Sequence, residues 1–222
     1  PDSLRALPND GVSVIVGDGE VLAVEGHQGT GWRTIVTDAQ GFVERQALVR
    51  PPGGYLIARG GAAAKQVALT FDDGPDETFT APILDTLASR KAVASFFVVG
   101  RQVQKLPALA QRIVREGHEI GNHSWSHPEF ATLSDAAMRM ELAATGRVIE
   151  AVTGHRPLLF RPPYIGDARP ATPERLRPMA VANELGYRVA GLEIDTKDWF
   201  ESNPQQIIAN APIAVRESRK IV

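Results

Sequence analysis

Val67-Ala68-Leu69-Thr70-Phe71-Asp72-Asp73-Gly74-Pro75 is the stretch on which the reading of this chain turns. An apolar, β-favouring run stops abruptly at two carboxylates and a Gly-Pro break. Successive side chains on a strand point to opposite faces, so adjacent Asp residues cannot both aim at one site from regular strand geometry. The Asp-Gly-Pro turn lifts that constraint, because the chain can bend immediately after the first carboxylate. Two carboxylates side by side are costly unless a cation or a shared proton separates their roles. The same residues also fit a plain polar turn after a buried strand, so the rest of the chain has to decide between the two.

From Val67 onward, strand-like and helix-like segments alternate. Helical periodicity is expected over Pro82–Arg90, Pro107–Glu116, from an N-cap at Ser134 to Thr153, and over Pro178–Leu185, with a last helix opening at Asn203-Pro204. Apolar strand runs fall at Ala94–Val99, His118–Ile120, Leu158–Phe160 and Tyr187–Gly191, with Leu192–Ile194 a candidate extension. Gly117 and Gly154 stand where helix C-caps are needed. In the Ser134–Thr153 helix, Met138, Leu142, Val148, Ile149 and Val152 form one apolar stripe, so its methionines read as core filler. Such alternation predicts an α/β fold on a parallel sheet. In a closed version of that fold, chemistry gathers at the C-terminal ends of the strands. Polar clusters follow apolar runs four times: Asp72-Asp73, His123 with His127, Arg161 to Tyr164, and Asp195 to Trp199.

Residues 1–64 read differently. The β-prone runs Val12–Val16, Glu20–Val24 and Thr34–Thr37 are separated by Gly17-Asp18-Gly19 and Gly29-Thr30-Gly31, which is hairpin spacing with hairpin turns. Arg50-Pro51-Pro52-Gly53-Gly54 and Gly60-Gly61-Ala62-Ala63-Ala64 read as connectors. This β-rich N-terminal segment shows no catalytic constellation, and His27 reads as a loop residue. Residues 65–222 form the second unit.

Composition narrows the chemistry. Of the 222 residues, 43% are hydrophobic, enough for a sizeable core, and the formal net charge of −2 offers no attraction to nucleic acid or an anionic membrane. No run of 18 apolar residues occurs. The chain has no cysteine, so any metal must be held by His and carboxylate. It opens on Pro1 rather than Met, which reads as a piece of a longer protein whose localisation signal lies elsewhere.

Two imidazoles four residues apart, His123 and His127, would share one face of a helical turn and could grip one cation. Taken alone, such a pair is more often an ordinary surface or loop pair. Asp73 would complete two nitrogens and one oxygen, leaving positions open for water and substrate, which is a catalytic rather than a structural arrangement. His118 reads as a packing histidine and His155 as a surface one.

Thr70-Phe71-Asp72-Asp73-Gly74-Pro75, His123-Ser124-Trp125-Ser126-His127, Arg161-Pro162-Pro163-Tyr164 and Asp195-Thr196-Lys197-Asp198-Trp199 resemble, in order, the first four motifs of the polysaccharide deacetylases, carbohydrate esterase family 4. The resemblance runs from about Lys65 to the C-terminus. It implies a distorted (β/α) barrel and hydrolysis of N-acetyl groups on a glycan containing N-acetylglucosamine. It further implies that Asp73, His123 and His127 bind a divalent metal, usually zinc, and that Asp72 is the general base. Arg161 would orient that base and Asp198 would position Arg161. Tyr164, through its backbone N–H, would hold the oxyanion. Pro163 would fix the loop and Trp199 would line the groove, although Trp199 fits core packing equally well.

The family's fifth motif, an apolar strand ending in the general-acid histidine, has no match. No histidine follows Asp198, and Lys220-Ile221-Val222 reads as the start of that missing strand. A glycan-binding pseudo-enzyme or a small-molecule amidase on the same fold are the alternatives. The stretch Asp167-Ala168-Arg169-Pro170-Ala171-Thr172-Pro173 and the β-rich lead-in are similar to a bacterial subgroup joined to a membrane glycosyltransferase. That would place action at the extracellular face of the cell envelope or outside the cell.

Overall fold

A computed structural model of the chain describes strands at 13–16, 22–28, 31–37, 43–48 and 56–57, and residues 68–164, 173–192, 195–201 and 203–209. The first four strands, β1 (Ser13–Val16), β2 (Leu22–Gln28), β3 (Gly31–Thr37) and β4 (Val43–Leu48), form an antiparallel sheet in chain order. The hairpin reading of this region holds. His27 lies in β2 opposite Trp32 rather than in a loop. β4 escaped the sequence pattern because Glu44, Arg45 and Gln46 interrupt the apolar alternation that marks a half-buried strand.

The second sheet is parallel and has six strands: β5 (Leu56–Ile57), β6 (Thr70–Phe71), β7 (Ser95–Val98), β8 (Glu119–Asn122), β9 (Leu159–Phe160) and β10 (Arg188–Ala190). Their spatial order is β5-β10-β9-β8-β7-β6, an open curl rather than a closed ring among the described residues. β5 falls before residue 64 yet pairs with β10, so part of the N-terminal segment belongs to this sheet. The connector stretches at 50–54 and 60–64, the 167–172 stretch, the extension over 193–194 and the C-terminal 220–222 lie outside the described residues.

Helices alternate with the strands as expected, with local chemistry marking their ends. Before α1 (Thr80–Arg90), Asp76 Oδ1 accepts the Thr78 and Phe79 N–H groups at 2.8 and 2.9 Å. These bonds form an Asp turn that leads the chain into the helix. α2 (Gly100–Lys105) was not foreseen. It is only six residues long, and a break at Leu106 divides it from α3 (Pro107–Arg115). α4 (Asp135–Thr153) begins where Ser134 Oγ accepts the Ala137 N–H and ends at left-handed Gly154, both as read from the sequence. α5 (Pro173–Glu184) starts five residues earlier than expected. Pro178 suggested a helix start, but it sits inside α5, where it costs one backbone bond without ending the helix. A last helix spans 204–209. No described helix is long and apolar enough to cross a membrane.

Side-chain alternation along the strands divides the core. Phe96, Val98 and Ile120 pack with Leu84, Leu87 and Ile113 of the helices. Phe160 and Val189 pack with Phe130, Met138, Leu142 and Met179. Each such fully buried side chain contributes about 1.5–3 kcal/mol. Phe97, one residue out of phase with Phe96, faces the other way and lies in register with Gly121. A Cβ on Gly121 would come within 2.6 Å of the Phe97 ring. Glycine therefore leaves the space that the ring occupies. The Arg161 guanidinium sits on that same ring, 4.1 Å from its centroid. This second face carries the polar groups, at the strands' C-terminal ends.

Candidate metal centre

Asp72 and Asp73 leave β6 in different directions. Arg161, only 2% exposed, donates from Nη1 to Asp72 Oδ1 at 2.7 Å and to Thr70 Oγ1 at 2.8 Å. Its Nε and Nη2 donate to the carbonyls of Ala190 (3.1 Å) and Gly191 (3.0 Å). One guanidinium thus ties together the ends of β6, β9 and β10 and holds Asp72 by a charge-assisted bond. Asp73 has φ 71°, a left-handed backbone that turns its carboxylate away from the strand direction. Its Oδ1 lies 2.9 Å from His127 Nε2 and 3.3 Å from His123 Nε2.

His123 is buried, and its Nδ1–H donates to the Arg161 carbonyl at 2.7 Å. That bond fixes the ring so that Nε2 is the nitrogen turned towards Asp73 and free to serve as a metal ligand. The three donor atoms of Asp73, His123 and His127 lie within 4.8 Å of one another. With two neutral imidazole nitrogens and one carboxylate, the set suits a divalent cation of the zinc or cobalt type and leaves coordination positions open. Hydrogen bonds from the two histidines hold the Asp73 carboxyl well below the usual carboxylate range. The His127 imidazole is correspondingly raised, first through its bond to Asp73, with burial and the positive charge of Arg101 opposing.

The expected helical turn over the two histidines is absent. His123 to His127 form a loop after β8, with Ser124 at φ 69° and His127 at φ 62°. Side chains of this segment and of α4 close the loop in place of a helix ladder. Asn122 Oδ1 accepts the Ser124 N–H at 2.9 Å, and Ser124 Oγ accepts the His127 N–H at 3.0 Å. From α4, Glu141 Oε2 accepts the N–H groups of Trp125 and Ser126, each at 2.8 Å, while its Oε1 accepts the Ser126 hydroxyl at 2.7 Å. Asn122 Nδ2 in turn donates to the Leu142 carbonyl and the Tyr187 hydroxyl. Asn122 adjoins a visible motif, but Glu141 carries no local signal: it lies fourteen positions beyond His127 on a helix that reads as ordinary.

Pro162 and Pro163 are buried, and Tyr164 follows with φ 63°. Its ring meets His127 edge-on at 4.7 Å, and its N–H has no acceptor among the described residues. Asp73, Arg101, Gln102, Ser126, His127 and Tyr164 line a cleft of about 300 Å³. Arg101 and Gln102, on α2, had not been singled out.

Two expected members stand apart. Among the described residues, the Arg161 side chain makes four hydrogen bonds and none of them goes to Asp198. Asp198 instead accepts the Thr196 hydroxyl at 2.8 Å, a local turn contact that directs its carboxylate back on its own loop. Trp199 is 76% exposed, so it is not core, and its indole N–H donates to Asp195. His118 packs against Phe96 and accepts the Ala94 N–H, while His155 is exposed, both as read.

An open α/β barrel with a His–His–Asp cluster beside an arginine-held carboxylate at its strand ends defines the class of fold and site to which this chain belongs. This chain belongs to the polysaccharide deacetylase family, whose model matches residues 59–190. It is 38% identical over 158 residues to the peptidoglycan-N-acetylmuramic acid deacetylase PdaC of Bacillus subtilis, a match covering 71% of this chain and 32% of that protein. The chain thus spans about a third of that relative's length. Among solved structures, a peptidoglycan N-acetylglucosamine deacetylase in complex with 4-naphthalen-1-yl-N-oxidanyl-benzamide superposes with a TM-score of 0.64 at 32% identity, covering 72% of each chain. A family 4 acetyl xylan esterase from Clostridium thermocellum, solved with a cobalt ion, gives 0.56 at 36% identity, covering 66% of this chain and 67% of that one. The family is metal-dependent, and Asp73, His123 and His127 are this chain's candidate metal cluster.

Proposed function

We propose that this chain removes N-acetyl groups from a glycan containing N-acetylglucosamine, releasing acetate, with Asp73, His123 and His127 holding a divalent metal. The observation that carries the reading is the division of labour between adjacent carboxylates. Asp72 is bonded to a buried guanidinium at 2.7 Å, while Asp73 faces two imidazole nitrogens at 2.9 and 3.3 Å. Bound there, the cation, for which zinc is the candidate, polarises the acetamide carbonyl and makes water a stronger acid.

The chain's own groups supply the rest. Asp72 takes a proton from the attacking water, and the Arg161 bond fixes the oxygen that receives it. Water oxygen adds to the carbonyl carbon, the C–N bond then breaks, and the sugar nitrogen leaves as an amine after taking up a proton. The N–H of Tyr164, which has no acceptor among the described residues, is available to the developing oxyanion, and Pro162 and Pro163 stiffen the loop that aims it. Trp199 offers an exposed aromatic face to a sugar ring. Asp198 would join Arg161 only after a rearrangement of the 195–200 loop. Relatives named for peptidoglycan suggest that the glycan is met in the cell envelope.

The test is acetate release from chitooligosaccharides by the metal-loaded protein. Asp72→Asn should lower kcat by at least about a hundredfold, the usual contribution of a general base, while leaving metal affinity within a few-fold. Unchanged turnover in that variant would sink the assignment.

A further inference from the structure

Among the charged groups lining the cleft, Arg101 has no role in the scheme above. It is exposed, and among the described residues it is the one arginine or lysine lining the cleft and has no carboxylate paired with its guanidinium. Other described arginines near acidic groups are paired: Arg112 with Asp85 and Glu116, Arg139 with Glu184, Arg161 with Asp72. The backbone that carries Arg101 is nevertheless tightly fixed relative to the metal cluster. Gly100 N–H donates to the Ser124 carbonyl at 2.9 Å, and Arg101 N–H donates to the Trp125 carbonyl at 3.2 Å. A Cβ on Gly100 would come within 2.5 Å of the Trp125 ring and 2.7 Å of the Thr145 hydroxyl, so α2 is seated directly on the histidine loop. Gln102 and Ser126 line the same wall and add neutral hydrogen-bonding groups.

We propose that Arg101 forms a subsite for a carboxylate carried by the substrate next to the scissile acetamide, so that the favoured glycan is acidic rather than neutral. This rests on the deacetylase reading above. A guanidinium presents a planar fork of donors that matches a carboxylate, and its attraction strengthens in a cleft that excludes water on one side. Because Asp73, His127 and Arg101 line one cleft, the substituent on the ring carbon next to an acetamide held at the cluster would meet this wall. A 2-acetamido sugar bearing a lactyl ether at that position would bring its carboxylate towards Arg101. An unmodified chitooligosaccharide has only a hydroxyl there and would leave the guanidinium in water.

The experiment compares metal-loaded parent, Arg101→Gln and Arg101→Lys. Calorimetry measures binding of a disaccharide containing the lactyl-bearing sugar and of neutral chitobiose, at low and high salt. The parent should prefer the acidic ligand. Arg101→Gln should cut that preference about tenfold, the usual size of one charged hydrogen bond. Arg101→Lys should restore part of it, and salt should compress it. A parent without preference, or a preference untouched by Arg101→Gln, overturns the proposal. If the parent still releases acetate from chitooligosaccharides, only the Arg101 assignment falls. If it releases none and binds neither sugar, the deacetylase reading falls and the subsite with it.

Discussion

Glu141→Ala should weaken metal binding without unfolding the protein. The carboxylate accepts three hydrogen bonds of 2.7–2.8 Å, two from the backbone of the loop between His123 and His127. Hydrogen bonds to a charged group are worth about 1.5–3 kcal/mol each when water cannot replace them. Ser126 is exposed and water can reach both of its donors, so only the half-buried Trp125 N–H loses close to that amount. The net cost is therefore about 1–3 kcal/mol, and it falls on a loop that already holds Ser124 and His127 in left-handed conformations. Outer partners of metal ligands typically tune affinity by about 10–100-fold, which is the loss expected here. Titration with cobalt, followed by its visible absorption, reads the affinity. Thermal unfolding of the metal-free protein should fall by about 2–12 °C, since about 1 kcal/mol corresponds to about 2–4 °C in a chain of this size. Glu141→Gln is the informative control. Its amide oxygen can accept both backbone N–H groups and its NH₂ can donate to Ser126 Oγ, so it should keep most of the affinity. The reasoning is refuted if Glu141→Ala binds cobalt within twofold of the parent, or if the glutamine variant is damaged as badly.

Two further outcomes follow from the geometry. Gly121→Ala should destabilise the protein by about 1–3 kcal/mol, because the new methyl would overlap the Phe97 ring beneath Arg161; unfolding in denaturant with an unchanged midpoint would contradict it. The pH dependence of metal binding has a definite sign. In the metal-free protein His127 is raised by Asp73, so its contribution to stability is full below the ordinary histidine value and lost as pH rises through the raised one. Asp73 is depressed, so its contribution is present above the ordinary carboxylate value and lost only as pH falls through the lowered one. Metal must displace the His127 proton, so the thermal shift on adding zinc or cobalt should grow as pH rises through and above about 6.5. A shift of constant size across that range would count against Asp73 and His127 sharing a proton.

How much of this was legible beforehand depends on the range over which each feature is encoded. α4 could be read at both ends because its cap groups, Ser134 and Gly154, act within one turn. The Asp72-Asp73 and His123/His127 pairs were visible because side-chain types at short spacing carry the signal. The positions of Asp198 and Glu141 were not, since a partner on another element leaves no mark in the local pattern. Nor could the loop form of His123–His127 be read from spacing: a four-residue separation suits a helix, whereas here Asn122, Ser124 and Glu141 satisfy the backbone without one.

That loop and its neighbours share a physical feature that bears on why the cluster exists. Six described non-glycine residues have positive φ, and four of them, Asp73, Ser124, His127 and Tyr164, are in or beside the metal centre. Each such conformation costs of order 1–3 kcal/mol and persists only where surrounding contacts over-determine it. For Ser124 and His127 the contacts are the Asn122 and Ser124 side-chain bonds, and for Tyr164 two buried prolines precede it. Asp73 differs, because its side chain is 69% exposed and its partners among the described residues are His123 and His127, the other donors of the proposed metal site. In the metal-free chain its left-handed turn is held chiefly by hydrogen bonds to groups that a cation would take over. The two carboxylates at the end of β6 are thus kept apart in different ways: Asp72 by a buried guanidinium built into the fold, Asp73 by a strained turn whose compensation a bound cation would complete.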